Sequence, residues 1–278
     1  MTQACAFSGG SYDLARGSVS AHAGAELPVR EVLGVAVHPL SMAAVLQTLD
    51  RFLADRRPHQ VVTVNAEFVV RARRDRAFRQ VLGASDLATV DGTLVALALR
   101  YLQRVPAQRV TGADLLPQLA RLAAKRACPV FLLGAGPGVA EAAAERLRLL
   151  APGLNIAGTY AGSAHPDEDE RICAMIRLGG ARVLLVAYGA PTQDLWIARN
   201  LQRLGPCVAI GVGGSFDYLA GVTPRAPLWM RWAGMEWLYR LVRQPSRWRR
   251  QLALPLFVYL AVRDIVVRQA SQIRVDKG

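Results

Sequence analysis

One acid in this sequence closes a short apolar run: Asp91 follows Leu87–Val90 and is itself followed by Gly92. A carboxylate at the rim of a cleft is partly removed from water, and this raises its pKa toward the range of a general base. An acid in this position can equally cap the helix that follows it. The position of Asp91 therefore indicates either proton abstraction or helix capping, and we keep both interpretations.

Four other polar side chains lie where an apolar run gives way to a helical pattern. They are Thr63, Asn65, Gln193 and Asp217. Asn65 is a good cap for a helix that begins at Ala66, and capping would also explain Gln193. Asp217 could cap a short helix or accept hydrogen bonds from a ribose or a base. Each of these side chains is thus a candidate both for helix capping and for contact with a ligand.

Glycines that follow three of the apolar runs suit a ligand that approaches the backbone closely. Gly134 and Gly136 follow an apolar run and resemble a phosphate-binding turn at a helix N-terminus. Gly189 and Gly213 follow two other runs. A dinucleotide-binding site would place an Asp or Glu roughly 20 residues further on, and residues 154–159 contain neither. NAD is therefore disfavoured, whereas a nucleotide diphosphate is compatible with the pattern.

The C-terminal part of the chain combines arginine with tryptophan. Four arginines recur at spacings of three and four, so that one helical face could carry all of their guanidinium groups. They are Arg240, Arg243, Arg247 and Arg250. Pro245 interrupts this run and predicts a break near Gln244. Tryptophans at 229, 232, 237 and 248 could fill a small helical core, but Trp beside Arg also suits a lipid headgroup layer.

The charge distribution indicates an anionic partner for this same segment. The 278 residues carry a formal net charge of +13, and residues 225–278 alone contain eleven Lys or Arg against three Asp or Glu. Such an asymmetry is typical of contact with an anionic ligand or an anionic membrane. Residues 252–262 are apolar, but a membrane span needs roughly 20 such residues, so this run could instead lie in the membrane interface.

The cysteines and the N-terminus narrow the class of protein further. The four cysteines are widely spaced, and no cluster of His, Cys, Asp or Glu has the spacing of metal ligands. We therefore expect no bound metal and a reducing, cytosolic setting. No secretory signal is visible, and residues 1–30 are predicted to be a flexible tail.

Short runs rich in Val, Ile and Leu alternate with amphipathic stretches along residues 31–224. The predicted strands are residues 35–37, 60–64, 87–90, 130–133, 155–157, 182–187 and 208–212. The predicted helices are residues 41–56, 66–82, 93–102, 113–126, 139–150, 167–178 and 192–204. This alternation predicts an α/β core with a Rossmann-like, mostly parallel sheet flanked by helices, and a C-terminal Arg/Trp-rich helical appendage at residues 225–278. Ligands of such sheets bind beyond the carboxyl ends of the strands, where the polar side chains described above would meet.

Taken together, these residues resemble the WecG/TagA/CpsF family of bacterial glycosyltransferases. The resemblance covers roughly residues 32–250 of the chain. It is carried by residues 63–65 (TVN), 91–92 (DG), 109–114 (RVTGAD), 131–134 (FLLG), 189–194 (GAPTQD), 211–217 (GVGGSFD), 225–227 (RAP) and 236–240 (EWLYR). Each motif alone is modest, but their order and co-occurrence make the resemblance specific.

The resemblance implies transfer of a sugar from a UDP-sugar to a polyprenyl-diphosphate-linked saccharide, in the synthesis of a cell-surface polysaccharide such as an exopolysaccharide, a teichoic acid or an antigen. The implied reaction is inverting and needs neither a metal nor a cofactor. The protein would be cytoplasmic and peripheral to the inner face of the cytoplasmic membrane. Its partners would be the donor, the lipid-linked acceptor and the membrane surface, with no role for nucleic acid. A homo-oligomer is compatible with the sequence.

The family pattern also assigns roles to residues of this chain. The catalytic base falls on Asp91, and the other active-site polar groups fall on Thr63, Asn65 and Gln193. The donor contacts fall on Asp217, for the nucleoside, and on three arginines that close the site and touch the membrane, Arg240, Arg247 and Arg250. The glycines of the strand ends, Gly134, Gly136, Gly189 and Gly213, complete the donor site that we expect from the sequence.

Two departures from the family pattern bear on the sugar rather than on the reaction. Thr192 stands where the family usually carries a Lys, and Asp194 stands where it usually carries a Glu. The identity of the sugar is therefore not predicted. The basic charge alone would also fit a nucleic-acid-binding protein or a non-catalytic membrane scaffold. Both alternatives are disfavoured, because the excess charge is confined to one end and a scaffold does not need polar groups at four strand ends.

Overall fold

The computed structural model of the protein describes residues 27–245 and 248–275. A six-stranded parallel sheet lies at its centre, with the strand order β4-β3-β8-β7-β5-β6. These strands are β3 (His59–Val64), β4 (Leu87–Val90), β5 (Val130–Gly134), β6 (Ile156–Tyr160), β7 (Val183–Ala187) and β8 (Val208–Gly211). A small antiparallel pair, β1 (Arg30–Val32) and β2 (Val35–Val37), precedes the sheet. The predicted α/β fold with a mostly parallel sheet is confirmed, although β1 was not predicted.

The burial of the strands explains why their sequences are apolar throughout. Every residue of β3, β4, β5 and β8 is buried, as expected when helices cover both faces of a parallel sheet. Alternate residues of β3 belong to opposite layers of the core: Val61 packs with one set of helices, and Val62 and Val64 pack with the other. β6 lies at an edge of the sheet, and all of its residues are half-buried.

Nine helices follow or connect these strands within the α/β core. They are α1 (Met42–Ala54), α2 (Ala66–Ala72), α3 (Arg76–Ala84), α4 (Thr93–Leu102), α5 (Gly112–Lys125), α6 (Val139–Leu150), α7 (Asp169–Leu178), α8 (Thr192–Asn200) and α9 (Ser215–Leu219). The single helix predicted over residues 66–82 is therefore wrong. The chain breaks there because Asp75 is extended and its side chain accepts a hydrogen bond from the Phe78 N–H, which starts α3 as a separate helix.

The C-terminal segment forms four more helices. They are α10 (Leu228–Trp232), α11 (Glu236–Arg243), α12 (Trp248–Gln251) and α13 (Ala253–Val275). The predicted break near Gln244 is confirmed, because α11 ends at Arg243 with Gln244 as its C-cap. The expectation that four arginines share one helical face is wrong, since Arg240 and Arg250 belong to different short helices. Arg247 lies outside the described residues.

The apolar run at residues 252–262 divides between two environments. Phe257, Leu260 and Ala261 are buried in the core layer that also holds α2 and α4. The prediction that the run lies in a membrane interface is wrong for these three residues, because they pack against protein. Val258 and Tyr259 are exposed on the other face of α13. Among the described residues, we find no helix with the length and apolar character needed to span a membrane.

Candidate active site

A cavity of about 540 Å³ lies at the carboxyl ends of β4, β3, β8 and β7, which are neighbours in the sheet. Residues that follow each of these strands line it, and the C-terminal segment supplies the remaining wall. The lining side chains from the core include Thr63, Asn65, Glu67, Asp91, Arg109 and Gln193, and those from the C-terminal segment include Glu236, Trp237, Arg240, Arg250 and Val258. The convergence of strand ends that the sequence predicts is therefore present.

Asp91 occupies the end of β4 and faces this cavity, to which it is partly exposed. Its backbone N–H donates to the Val64 carbonyl at 2.9 Å, so the strand pairing of β3 and β4 holds it in place. Burial raises the pKa of Asp91 to about 7, and the negative charge of Glu236 adds to this increase. Arg109 acts in the opposite direction. A carboxylate with a pKa near neutrality is suited to accept a proton from a bound hydroxyl.

Thr63 and Asn65 lie beside Asp91, at the end of the neighbouring strand β3. The Asn65 side chain accepts a hydrogen bond from the Phe68 N–H at 3.1 Å and thereby caps α2, so the capping interpretation of Asn65 is correct. Its side chain lines the cavity as well. Thr63 is buried, and its hydroxyl lies 3.5 Å from the Gly211 carbonyl oxygen, at the limit of a hydrogen bond.

Gln193 joins the two strand ends on the other side of the cavity. Its Oε1 atom accepts hydrogen bonds from the Gly189 N–H at 3.1 Å and from the Gly213 N–H at 2.9 Å. The side chain is only 2% exposed. A Cβ atom on Gly211 would lie 2.5 Å from Gln193 Nε2, so only glycine fits beneath this side chain. The geometry makes Gln193 a brace between the turns after β7 and β8, and it occupies the two glycine amides that the sequence offered to a ligand.

Asp194 lies directly behind Gln193 and is fully buried. Neither of its carboxylate oxygens has a hydrogen-bond partner among the described residues. Burial raises the pKa of Asp194 to about 7. The position departs from the usual Glu of the pattern, and the structure places it beneath the cavity rather than on its wall.

Three arginines bring positive charge to the cavity. The Arg240 guanidinium lies against the backbone of Gly214, where any Cβ atom would overlap it, and stacks 5.0 Å from the centre of the Tyr218 ring. Arg250 Nε pairs with Glu67 Oε1 at 2.8 Å. Arg109 is the third, and the sequence reasoning gave it no role. These cations can contact an anionic ligand in the cavity.

Three residues predicted to bind the donor do not line the cavity. Gly134 ends β5 and Gly136 follows it, and this strand lies beyond β7. A Cβ atom on Gly134 would come within 2.9 Å of the Ala187 carbonyl carbon. The glycine at 134 is thus explained by the close approach of β5 to β7. Asp217 lies next to Gly214, outside the cavity wall. The geometry of this cavity does not support the donor contacts predicted for these three residues.

The sequence of this chain matches the model of a known protein family. The model of the glycosyl transferase WecG/TagA/CpsF family matches residues 30–271, which is most of the chain and nearly all of its described part. The chain belongs to the WecG/TagA/CpsF family. Membership in this family supports glycosyltransferase activity. The match to the family model also extends beyond residue 250 into α13.

Two acidic residues of this WecG/TagA/CpsF protein line the cavity although the sequence did not lead us to predict them there. Glu67 begins the first turn of α2, and Glu236 is the first residue of α11. One sequence signal points to Glu236, because it is the single acidic residue between Asp217 and Asp264 in a segment dominated by arginine. Glu67 carries no comparable signal.

Proposed function

We propose that this family member is an inverting glycosyltransferase that moves a sugar from a UDP-sugar to a polyprenyl-diphosphate-linked saccharide in cell-surface polysaccharide synthesis. Its reaction is a single displacement at the anomeric carbon. The acceptor hydroxyl forms a bond to that carbon, Asp91 takes the hydroxyl proton, and UDP leaves with the bonding electron pair. The observation that carries the proposal is the raised pKa of Asp91 at the wall of a cavity formed by four strand ends.

The leaving diphosphate needs compensation for the negative charge that it develops. The glycine turn after β5 does not reach the cavity, so its amides are not the source of this compensation. Arg240 and Arg250 do reach it, from two different helices of the C-terminal segment. Guanidinium groups bind phosphate oxygens with paired hydrogen bonds. We therefore propose that arginines, rather than a divalent ion, stabilise the departing UDP.

The exposed apolar side chains of the C-terminal segment support contact with a lipid surface. They include Leu228, Trp229, Trp232, Trp248, Leu252, Val258 and Tyr259. Trp232 is 82% exposed, which is unusual for so large an apolar ring in contact with water. Tryptophan and arginine together suit the headgroup layer of an anionic membrane. The protein would then act as a peripheral enzyme on the cytoplasmic face of the membrane.

The direct test incubates the full chain with a panel of UDP-sugars and a short-chain lipid diphosphate acceptor, with and without EDTA. We expect one donor to support transfer, transfer to persist in EDTA, and Asp91→Asn to lower turnover by at least about 10²-fold. Strict dependence on magnesium or manganese would exclude the metal-independent mechanism. Near-full activity of Asp91→Asn would exclude the base assignment.

Thermal-shift measurements separate the enzyme from a binder of nucleic acid. A ligand at roughly 100 times its Kd stabilises a folded protein by about 2.7 kcal/mol. We expect UDP to raise the Tm and single- or double-stranded oligonucleotides at matched phosphate concentration to leave it unchanged. Stabilisation by oligonucleotides with no response to UDP would favour the nucleic-acid-binding alternative.

A further inference from the structure

Glu236 is an acidic residue of the C-terminal segment, and it lines the cavity together with arginines of the same segment. It is the first residue of α11, and its side chain is 19% exposed at the cavity wall. Removing a carboxylate from water is unfavourable unless it serves a local interaction. Glu236 is the single acid between Asp217 and Asp264, and its placement at that wall therefore calls for a specific role.

The contacts of Glu236 join the C-terminal segment to the core. Its Oε1 atom lies 3.2 Å from Arg225 Nε, and its Oε2 atom lies 4.0 Å from Arg109 Nη2. Arg225 in turn pairs with Asp114 Oδ1 at 2.8 Å. Glu236 is thus the acid through which a guanidinium of the core and a guanidinium of the C-terminal segment are held together.

Arg109 has three carboxylates around it, Glu236, Asp91 and Asp114, and of these it forms an ion pair with Glu236. Its guanidinium also donates to the Thr93 hydroxyl at 3.3 Å and to the Arg231 carbonyl at 3.2 Å. These contacts direct Arg109 toward the C-terminal segment. The charges of Arg109 and Arg240 lower the pKa of Asp91, but the ion pair of Arg109 among the described residues is the one with Glu236.

We propose that Glu236 is a positioning residue that holds the Arg109 guanidinium on the cavity wall, so that the Asp91 carboxylate stays unpaired and able to take a proton. This inference rests on the proposed role of Asp91 as base. Without Glu236, Arg109 would lose that partner and be left with the carboxylates of Asp91 and Asp114, on both of which its charge acts. The C-terminal segment would then contribute to the basicity of the catalytic group as well as to the binding of anions.

The charged groups around Asp91 determine the sign of the effect. Those that act on it are Glu236 and Arg240 from α11, Arg109 from the loop before α5, and Asp114 from α5. The pair of Glu67 and Arg250 lines the same cavity from α2 and α12. Glu236 and Asp114 raise the pKa of Asp91, whereas Arg240 of α11 and Arg109 of the loop before α5 lower it. Neutralising residue 236 therefore lowers the pKa of Asp91, and any approach of Arg109 lowers it further.

The first experiment compares the pH dependence of kcat/KM for the wild type and Glu236→Gln, which keeps the size of the side chain. We expect the acid limb of Glu236→Gln to move to lower pH by about one unit, because a like charge near Asp91 has been removed. Turnover on the plateau should fall severalfold, since a weaker base transfers the proton less readily. The double variant Arg109→Gln/Glu236→Gln should move the limb back toward the wild type. An unmoved limb in Glu236→Gln would overturn the proposal.

The matched control is Glu67→Gln, which breaks another ion pair between the core and the C-terminal segment at the same cavity. Glu67 is not among the groups that contribute most to the pKa of Asp91. We expect Glu67→Gln to leave the acid limb in place even if it lowers turnover. A limb that moves equally in both variants would show a general loosening of the segment and would contradict a specific role for Glu236.

A second readout does not depend on catalysis. The carboxyl ¹³C resonance of Asp91, assigned by its loss in Asp91→Asn, can be titrated in the free protein. The midpoint should fall by about one pH unit in Glu236→Gln. If the wild type transfers no sugar but Arg109→Gln raises this midpoint more in the Glu236→Gln background than in the wild type, the proposed function fails and the positioning of Arg109 stands. If transfer occurs and neither the midpoint nor the limb moves, the positioning role alone is rejected.

Discussion

Asp91→Asn should make the protein more stable while it removes the proposed base. Burial raises the pKa of Asp91 from the ordinary 3.8 to about 7, so ionised Asp91 destabilises the folded state. Each pH unit between the two values corresponds to about 1.4 kcal/mol. The full destabilisation by ionised Asp91 is therefore up to about 4 kcal/mol in alkaline solution. An asparagine of the same shape carries no charge at any pH and avoids it.

The sign follows from proton binding in the two states. Below about pH 4 the carboxyl group is protonated in both the folded and the unfolded chain, so its contribution is constant. Between about pH 4 and pH 7 the unfolded chain releases the proton and the folded chain keeps it, so wild-type stability falls as the pH rises. Above about pH 7 the destabilisation is complete. Asp194, whose pKa is also raised to about 7, is present in both proteins and cancels from their difference.

The assay is urea unfolding of the wild type and Asp91→Asn at about pH 5 and about pH 8. We expect the free energy of unfolding of the variant to exceed that of the wild type by about 3 kcal/mol more at the higher pH than at the lower. Glu145→Gln on the exposed face of α6 is the control, and it should change stability by less than about 1 kcal/mol at either pH. Parallel stability curves for wild type and Asp91→Asn would refute the raised pKa and with it the case for a base.

Three further substitutions test the construction of the site. Gly214→Ala should displace the flexible Arg240 side chain, leave the fold intact and lower transfer as much as Arg240→Ala. The control Gly83→Ala, at a position with free space in α3, should leave transfer unchanged. Full activity of Gly214→Ala would contradict the placement of the Arg240 guanidinium. Gln193→Leu leaves two amides without an acceptor and should lower the free energy of unfolding by about 1–3 kcal/mol in urea; a smaller loss would show that the brace is dispensable. Phe257→Ala should cost about 3–5 kcal/mol by the same measurement, because the ring is 2% exposed, and a negligible loss would contradict the docking of α13.

The central sheet could be predicted from the sequence because its strands are buried on both faces. The apolar runs at residues 60–64 and 130–133 show this pattern directly, and each agrees with its strand, β3 or β5, except for one residue at one end. The convergence of Asp91 and Gln193 followed from the same pattern, since parallel strands end at one edge of the sheet. Periodicity did not reveal the break at Asp75, where one side-chain hydrogen bond to the backbone outweighs a continuous helical pattern.

The individual roles at the site depend on distances that a sequence does not contain. A glycine that admits a phosphate and a glycine that admits a neighbouring strand have the same sequence pattern, and Gly134 proves to be of the second kind. Gln193 is polar and follows a strand, as a ligand-binding residue would, but its acceptor atom is committed to two backbone amides. Charge patterning located the arginines of the C-terminal segment, but it could not show that Glu236 would meet Arg109 across the cavity.

We propose that the C-terminal segment contributes to the basicity of Asp91 as well as to the binding of anions. Its last helix is fixed to the core by a buried apolar face, and Phe257 lies at the centre of that contact. The part of the segment before this helix adds ion pairs with the core through Arg225, Arg231, Glu236 and Arg250. Residues of the segment line the cavity that Asp91 faces, and burial is the largest cause of the raised pKa of Asp91. Removal of the segment would expose Asp91 to water, return its pKa toward that of an ordinary carboxylate and abolish its value as a base, even if the sheet itself remained folded.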